Sequence, residues 1–171
     1  VRLPGRFNLE NIGAALLAAR ELGGDTERAL AAAVGFESLP HRLELVCQGA
    51  GVRFYNDSYA TRPEAAIAAV GAFEGPLAVV MGGSEKNADF GELADVVRAH
   101  RGIVHVSLIG ATAKRLRESL VAAGCDESML HILPDMEPAV EAAAAGLANG
   151  GTVLLAPACA SFGLFKNYKV R

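Results

Sequence analysis

The amino-acid sequence predicts an α/β protein whose sheet is mostly parallel, with helices on both faces. Two observations carry this. From residue 63 onward, short apolar runs alternate with longer amphipathic or alanine-rich stretches, and a strand-like pair joined by a glycine-bounded turn precedes them. Strands separated by helical stretches need crossover connections, and crossovers make neighbouring strands parallel.

The elements follow in order. Asn8 to Leu22 places Leu9, Ile12, Leu16 and Ala19 at helical spacing, with Asn8 as the expected N-cap. Gly23-Gly24 ends that helix, and Asp25-Thr26 opens a second one running to about Val34. Pro40 then makes continued helix unfavourable. The period changes at Leu43: Leu43–Gln48 and Val52–Asn56, joined by Gly49-Ala50-Gly51, read as a β-hairpin. Further strands are expected at Leu77–Met81, Ile103–Ile109, Leu130–Leu133 and Thr152–Ala156. Helices are expected at about Pro63–Ala72, Glu92–Ala99, Ala111–Ala123 and Met136–Leu147. The Ala142–Ala145 run reads as a tightly packed, buried helix face.

Composition narrows the function classes. With 171 residues the chain is about one domain long. Sixteen Lys and Arg against nineteen Asp and Glu leave a net charge of −3, and no basic run exists, which argues against nucleic acid as a partner. Hydrophobic residues make up 51%, too many for a disordered chain, and 32 alanines account for much of that fraction. No run approaches 18 strongly apolar residues, and Val1 does not open a signal peptide, so no membrane association is expected. Cys47, Cys125 and Cys159 lie far apart without a CxxC pair, which fits a reducing, cytoplasmic setting and no zinc site.

In open α/β sheets ligands bind outside the carboxyl ends of the strands, and three loops there carry polar residues. Asn56-Asp57-Ser58-Tyr59-Ala60-Thr61-Arg62-Pro63 holds a carboxylate, hydroxyls and a cation; these are also ordinary turn and capping residues. Met81-Gly82-Gly83-Ser84-Glu85-Lys86 offers paired glycines for close backbone approach to a ligand and a lysine for an anion, though a solvated loop would read the same. It is neither G-x-x-x-x-G-K-[ST] nor G-x-G-x-x-G. Ala156-Pro157-Ala158-Cys159-Ala160-Ser161-Phe162-Gly163 leads into a helix-like start whose free N–H groups would suit an anion. Cys159, among alanines and without an obvious base, reads as a buried small hydrophobe, and His41 as structural.

Five motifs occur in order: Asn8-x-x-Asn11, Leu39-Pro40-His41-Arg42, Asn56-Asp57-Ser58-x-Ala60-Thr61, Gly82-Gly83-x-x-Lys86, and Pro157-Ala158-Cys159-Ala160-Ser161-x-x-x-Phe165-Lys166-Asn167. Together they resemble the C-terminal part of the Mur ligase family, in particular its D-glutamate-adding members, over essentially the whole chain. The resemblance implies that residues 39–171 are the C-terminal, amino-acid-binding domain, a Rossmann-like three-layer α/β/α fold with a six-stranded sheet whose first strand is antiparallel. It implies that residues 1–38 are the helical tail of the central ATPase domain. The chain is then a fragment whose N-terminal and central domains are missing, along with the phosphate loop and the magnesium ligands. The parent would be an ATP-dependent ligase that uses ATP and Mg2+ to join D-glutamate to UDP-N-acetylmuramoyl-L-alanine through an acyl phosphate. This chain alone is expected to be inactive and to bind no cofactor.

By the same resemblance, Thr61 and Lys86 hold the α-carboxylate of D-glutamate, while Ser161, Phe162 and the Tyr168 backbone hold its side-chain carboxylate. Asn11, Arg42 and Asp57 contact the nucleotide. Three positions depart from the family pattern: Tyr59 stands where lysine is common, Arg62 where asparagine is, and Phe7 where histidine is. Two other readings remain at this stage: a related Mur or folylpolyglutamate-type ligase for another amino acid, and a free-standing module that binds an amino acid or nucleotide.

Overall fold

The hairpin that opens the sheet is a consequence of its turn. β1 (Glu44–Gly49) and β2 (Val52–Asn56) pair antiparallel with Gly49 opposite Val52. The two residues between them, Ala50 and Gly51, both take positive φ (50° and 79°). That backbone twist matches the twist of the flanking strands, which is why two-residue hairpin turns adopt it.

The computed structural model describes residues 3–84 and 87–171. After the hairpin come α3 (Pro63–Val70), β3 (Leu77–Gly82), α4 (Gly91–Ala99), β4 (Ile103–Ile109), α5 (Ala113–Ala122), a 3-10 turn at Glu127–Met129, β5 (Leu130–Ile132), α6 (Met136–Ala145) and β6 (Gly151–Leu155). The sheet has six strands in the order β1-β2-β6-β3-β4-β5; only the β1–β2 pairing is antiparallel. The expected three-layer, mostly parallel architecture is therefore present, with strand positions within a residue or so of those read from the pattern.

β3 lies inside the sheet and all six of its residues are buried. A strand covered on both faces must be apolar throughout, hence its unbroken apolar sequence. Its alternate side chains serve two cores. Leu77, Val79 and Met81 join α3, α4 and α5 through Ala66, Ala69, Leu93, Val97, Leu116 and Leu120. Ala78 and Val80 face α6 through Ala139 and Ala143. Alanines four apart on α6 let that helix lie close to the strands. On this face β4 also carries His105, whose Nε2 bonds the Ser107 hydroxyl (2.8 Å), which in turn donates to the Ala139 carbonyl (2.8 Å).

Ahead of the sheet stand α1 (Arg6–Glu21) and α2 (Thr26–Gly35). Asp25 caps α2 as expected, its carboxylate accepting from the N–H groups of Glu27 and Arg28, a device worth about 1 kcal/mol. Neither helix has a buried residue.

Three local expectations are corrected. Asn8 does not cap α1: the helix starts at Arg6, and the Asn8 amide donates back to the Pro4 carbonyl. Of the Ala142–Ala145 run only Ala143 is buried, because four consecutive residues point all round a helix and cannot share one face. After Ser161 the chain forms turns instead of a helix, with two isolated helix-type bonds, Phe165 N–H to the Ser161 carbonyl and Arg171 N–H to that of Asn167.

Candidate functional site

Strand order builds the site. β2, β6 and β3 are neighbours in the sheet although residues 52–56, 77–82 and 151–155 are distant in sequence. Their carboxyl ends therefore deliver three loops to one place, and backbone bonds lock them together. Ala158 N–H donates to the Ala60 carbonyl (2.9 Å), Gly82 N–H to Pro157 (2.8 Å) and Ser84 N–H to Ala160 (2.8 Å).

The paired glycines take part in this locking. A Cβ on Gly82 would lie 2.1 Å from the Ile109 carbonyl oxygen, and one on Gly83 would lie 2.1 Å from that of Ala160. The space a side chain needs is occupied by neighbouring backbone. Beneath them Thr112 is fully buried; its hydroxyl accepts from Gly83 N–H (3.1 Å) and contacts the Cys159 sulfur (3.3 Å). Cys159 is accordingly packed, as its alanine-rich context predicts.

Two cavities flank this junction. The first, of about 490 Å³, is lined by Phe7, Asn11, Arg42, Asp57, Tyr59 and Thr61 among others. It brings together all three residues expected at a nucleotide, from α1, from the turn before β1 and from the loop after β2. Asp57 is buried, and its Oδ1 accepts from Leu43 N–H (3.2 Å). Burial pushes its carboxyl above the ordinary value, against the lowering by that N–H and by the nearby Arg42 charge. Leu43 is held there in a left-handed conformation (φ 44°) that a branched side chain adopts only under constraint.

The second cavity, of about 430 Å³, is lined by Thr61, Arg62, Ser84, Asn87, Phe90 and Cys159 among others. Thr61 and Arg62 border both cavities. Arg62 pairs loosely with Glu64 (3.5 Å) and stands at the boundary between the two cavities as a cation. Of the other residues expected at an amino-acid substrate, Ser161 is buried two residues beyond Cys159, and Phe162 stands 61% exposed. Tyr168 packs edge-to-face on Tyr59 (5.4 Å) and His41 (5.8 Å). Its carbonyl accepts the Ser58 hydroxyl (2.6 Å). Lys86 lies outside the described residues. His41 is structural in its contacts, with Nδ1 bonded to the Asn56 amide (3.0 Å).

Sequence reasoning passed over Arg171. Its Nε donates to the Ser58 hydroxyl (3.0 Å), Nη2 to the Ser58 carbonyl (2.8 Å) and Nη1 to the Cys159 carbonyl (3.0 Å). Burial lowers its pKa to about 10, so it remains charged at neutral pH. No pattern in the sequence marks this residue. Among the described residues, no three His, Cys, Asp or Glu side chains converge as a metal site would require, no cysteine forms a disulfide, and no helix is long and apolar enough to cross a membrane.

A mostly parallel sheet whose strand ends hold two adjoining cavities of mixed polar and apolar lining defines an α/β ligand-binding domain of the doubly wound kind. The chain belongs to the Mur ligase family: residues 41–159 match the family described as Mur ligase, glutamate ligase domain. Its relatives include the UDP-N-acetylmuramoylalanine–D-glutamate ligase of Geobacter metallireducens, 41% identical over 170 residues (99% of this chain, 36% of that protein). The like-named protein of Solibacter usitatus is 40% identical over 173 residues (100% of this chain, 37% of that protein). Among solved structures, the UDP-N-acetylmuramate–alanine ligase of Thermotoga maritima shares the fold with a TM-score of 0.67 at 19% identity, covering 91% of this chain and 35% of that one. MurF of Acinetobacter baumannii does so with 0.66 at 21% identity, covering 88% and 35%. The chain thus spans a little over a third of the length of these curated relatives.

Proposed function

We propose that this chain is the amino-acid-binding end of an ATP-dependent ligase that adds D-glutamate to UDP-N-acetylmuramoyl-L-alanine in the cytoplasm. The carrying observation is the junction at Thr61, where a cavity lined by Asn11, Arg42 and Asp57 meets one lined by Thr61, Arg62 and Ser84. A nucleotide in the first and an amino acid in the second would lie on either side of one loop. The names of the relatives support the choice of D-glutamate. The Thermotoga maritima MurF ligase, solved in complex with ADP, shares the fold (TM-score 0.56, 21% identity), which supports a nucleotide as a ligand of the full-length ligase.

In this reading residues 39–171 form the domain that holds the amino acid, and residues 1–38 are the last helices of a preceding ATPase domain. The apolar surface of those helices supports the division: Leu9, Leu17, Leu30, Val34 and Phe36 are exposed, and α1 and α2 enclose an apolar cleft of about 410 Å³.

The chemistry assigns this chain a positioning role. Transfer of the γ-phosphoryl group to the substrate carboxylate, with ADP leaving, produces an acyl phosphate. The amine nitrogen of D-glutamate then attacks the acyl carbon; a C–N bond forms, the C–O bond to phosphate breaks, and the ammonium protons are released. D-Glutamate presents two carboxylates, so its site needs hydroxyls, cations and backbone donors at two points. Thr61 and Lys86 take the α-carboxylate, and Ser161, Phe162 and the Tyr168 backbone the other. Fixing both ends directs the amine at the acyl carbon, which is the entropic part of catalysis. Arg42, Asp57 and Asn11 hold the nucleoside. The magnesium ligands are assigned to the part of the ligase that lies outside this chain.

The test is Lys86→Met in the full-length ligase, which keeps most of the stem and removes the charge. A charge-assisted contact of about 1.5–3 kcal/mol predicts that kcat/KM for D-glutamate falls roughly 10- to 150-fold, mainly through KM, with little change in KM for ATP. Unchanged kinetics toward D-glutamate would remove Lys86 from the site.

A further inference from the structure

The loop after β6 is fastened one peptide at a time. Its Pro157 carbonyl takes Gly82 N–H, Ala158 N–H reaches the Ala60 carbonyl, and the Ala160 carbonyl takes Ser84 N–H. The Cys159 carbonyl takes the Arg171 guanidinium. Beyond Ser161 the chain makes only turns. Asn167 organises the last of them locally, its carbonyl and side chain receiving N–H groups from Lys169, Val170 and Arg171. Among the described residues, this segment is tied to the loop after β2 and the turn before β1 by three groups: the Tyr168 ring against Tyr59 and His41, the Tyr168 carbonyl accepting from Ser58, and the Arg171 side chain.

We infer that Arg171 is a positioning residue for the acidic amino acid, clamping the wall that carries Ser161, Phe162 and Tyr168 against the loop that carries Thr61. This deepens the functional reading and rests on it. The guanidinium is suited to the task because its donors diverge in one plane. Nε and Nη2 grip both oxygens of Ser58, and Nη1 reaches across to Cys159, two residues before Ser161. Ser58 is fully buried, and its own hydroxyl proton goes to Tyr168, so its oxygen is left to accept Nε–H and the network balances donor for acceptor. A ligand with two carboxylates touches both sides of the clamp at once. The distance between its two anchor points is then set by a residue that touches neither.

The experiment compares Arg171→Met, Arg171→Lys and wild type in the full-length ligase, measuring KM for D-glutamate, KM for ATP and kcat. A displaced wall should raise KM for D-glutamate about 10- to 100-fold while KM for ATP stays within about twofold, since misplacement by an ångström can cost that much. Arg171→Lys should lie between, because one ammonium cannot bridge Ser58 and Cys159 in the same plane. Adding guanidinium ion should restore part of the D-glutamate affinity of Arg171→Met. On the chain itself, amide exchange across residues 162–170 should quicken in Arg171→Met while β3 and β4 are unchanged. If the methionine variant is too unstable to purify, the lysine variant and its KM ratio decide the matter. A lower Tm with KM for D-glutamate unchanged makes Arg171 a strut of the fold and overturns the inference, as does an equal rise in both KM values. A wild-type enzyme that uses another amino acid sinks the functional reading alone, and the Arg171 comparison is then made on that amino acid.

Discussion

Asp57 shows how one side chain serves fold and site together. Its Oδ1 holds Leu43 in a left-handed turn, while its burial makes ionisation costly. A carboxyl whose folded pKa is raised above the ordinary 3.8 contributes fully below that pH. Its contribution is lost as pH climbs from 3.8 through the folded value, because the unfolded chain ionises first. Asp57→Asn keeps an acceptor for Leu43 and cannot ionise. The variant should match the wild type near pH 3 and exceed it in urea midpoint near pH 7. Equal midpoints at both pH values would mean that burial exacts no cost at Asp57. Gly83 makes a complementary point: its role is legible only when the Ala160 carbonyl is seen standing 2.1 Å from where a Cβ would be.

At the scale of elements, α6 is held to the sheet partly by polar groups. The Ser107 hydroxyl spends its proton on the Ala139 carbonyl, so its oxygen must accept from His105, which fixes His105 as the Nε2–H tautomer. Burial, with the stacked His131 ring beside it at 4.5 Å, lowers the pKa of His105 below 6.5. A histidine held neutral in the fold gives stability that is present above the unfolded pKa and drains away as pH falls through the folded one. Thermal midpoints should therefore drop as pH falls below 6.5, and His105→Gln should flatten that part of the profile. A profile unchanged by the substitution would assign the acid sensitivity to other groups.

Across the whole molecule, stability is unevenly distributed. The sheet and α3–α6 contain both apolar cores, whereas α1 and α2 bury no residue, and Phe7 is the α1 side chain packed against a core. Deleting residues 1–38 should accordingly leave the parallel sheet folded, with a Tm shift of only a few degrees and an unchanged exchange pattern in β3 and β4. Loss of cooperative unfolding on that deletion would show that the helices are integral to this unit, and would count against assigning them to a preceding domain.

Alternating apolar runs and helical periods were enough to place all six strands and all six helices, because each is set by local burial along its own stretch. Asp25 was legible as a cap for the same reason: its partners lie two and three residues away. The five motifs were likewise readable, and with them the family. What the sequence could not show is which loops meet. β6 inserts between β2 and β3 through crossover geometry that no local pattern encodes, and only that insertion sets Ala158 on Ala60 and Ser84 on Ala160. The consequences are equally non-local. Asn11, Arg42 and Asp57, up to 46 positions apart, line one cavity; the glycines of the β3 loop make room for neighbouring backbone; and Arg171 closes on Ser58, 113 residues away. Sequence determines the elements because their energetics are short-range; tertiary structure alone decides the site, because its contacts join strand ends that become neighbours only in the folded sheet.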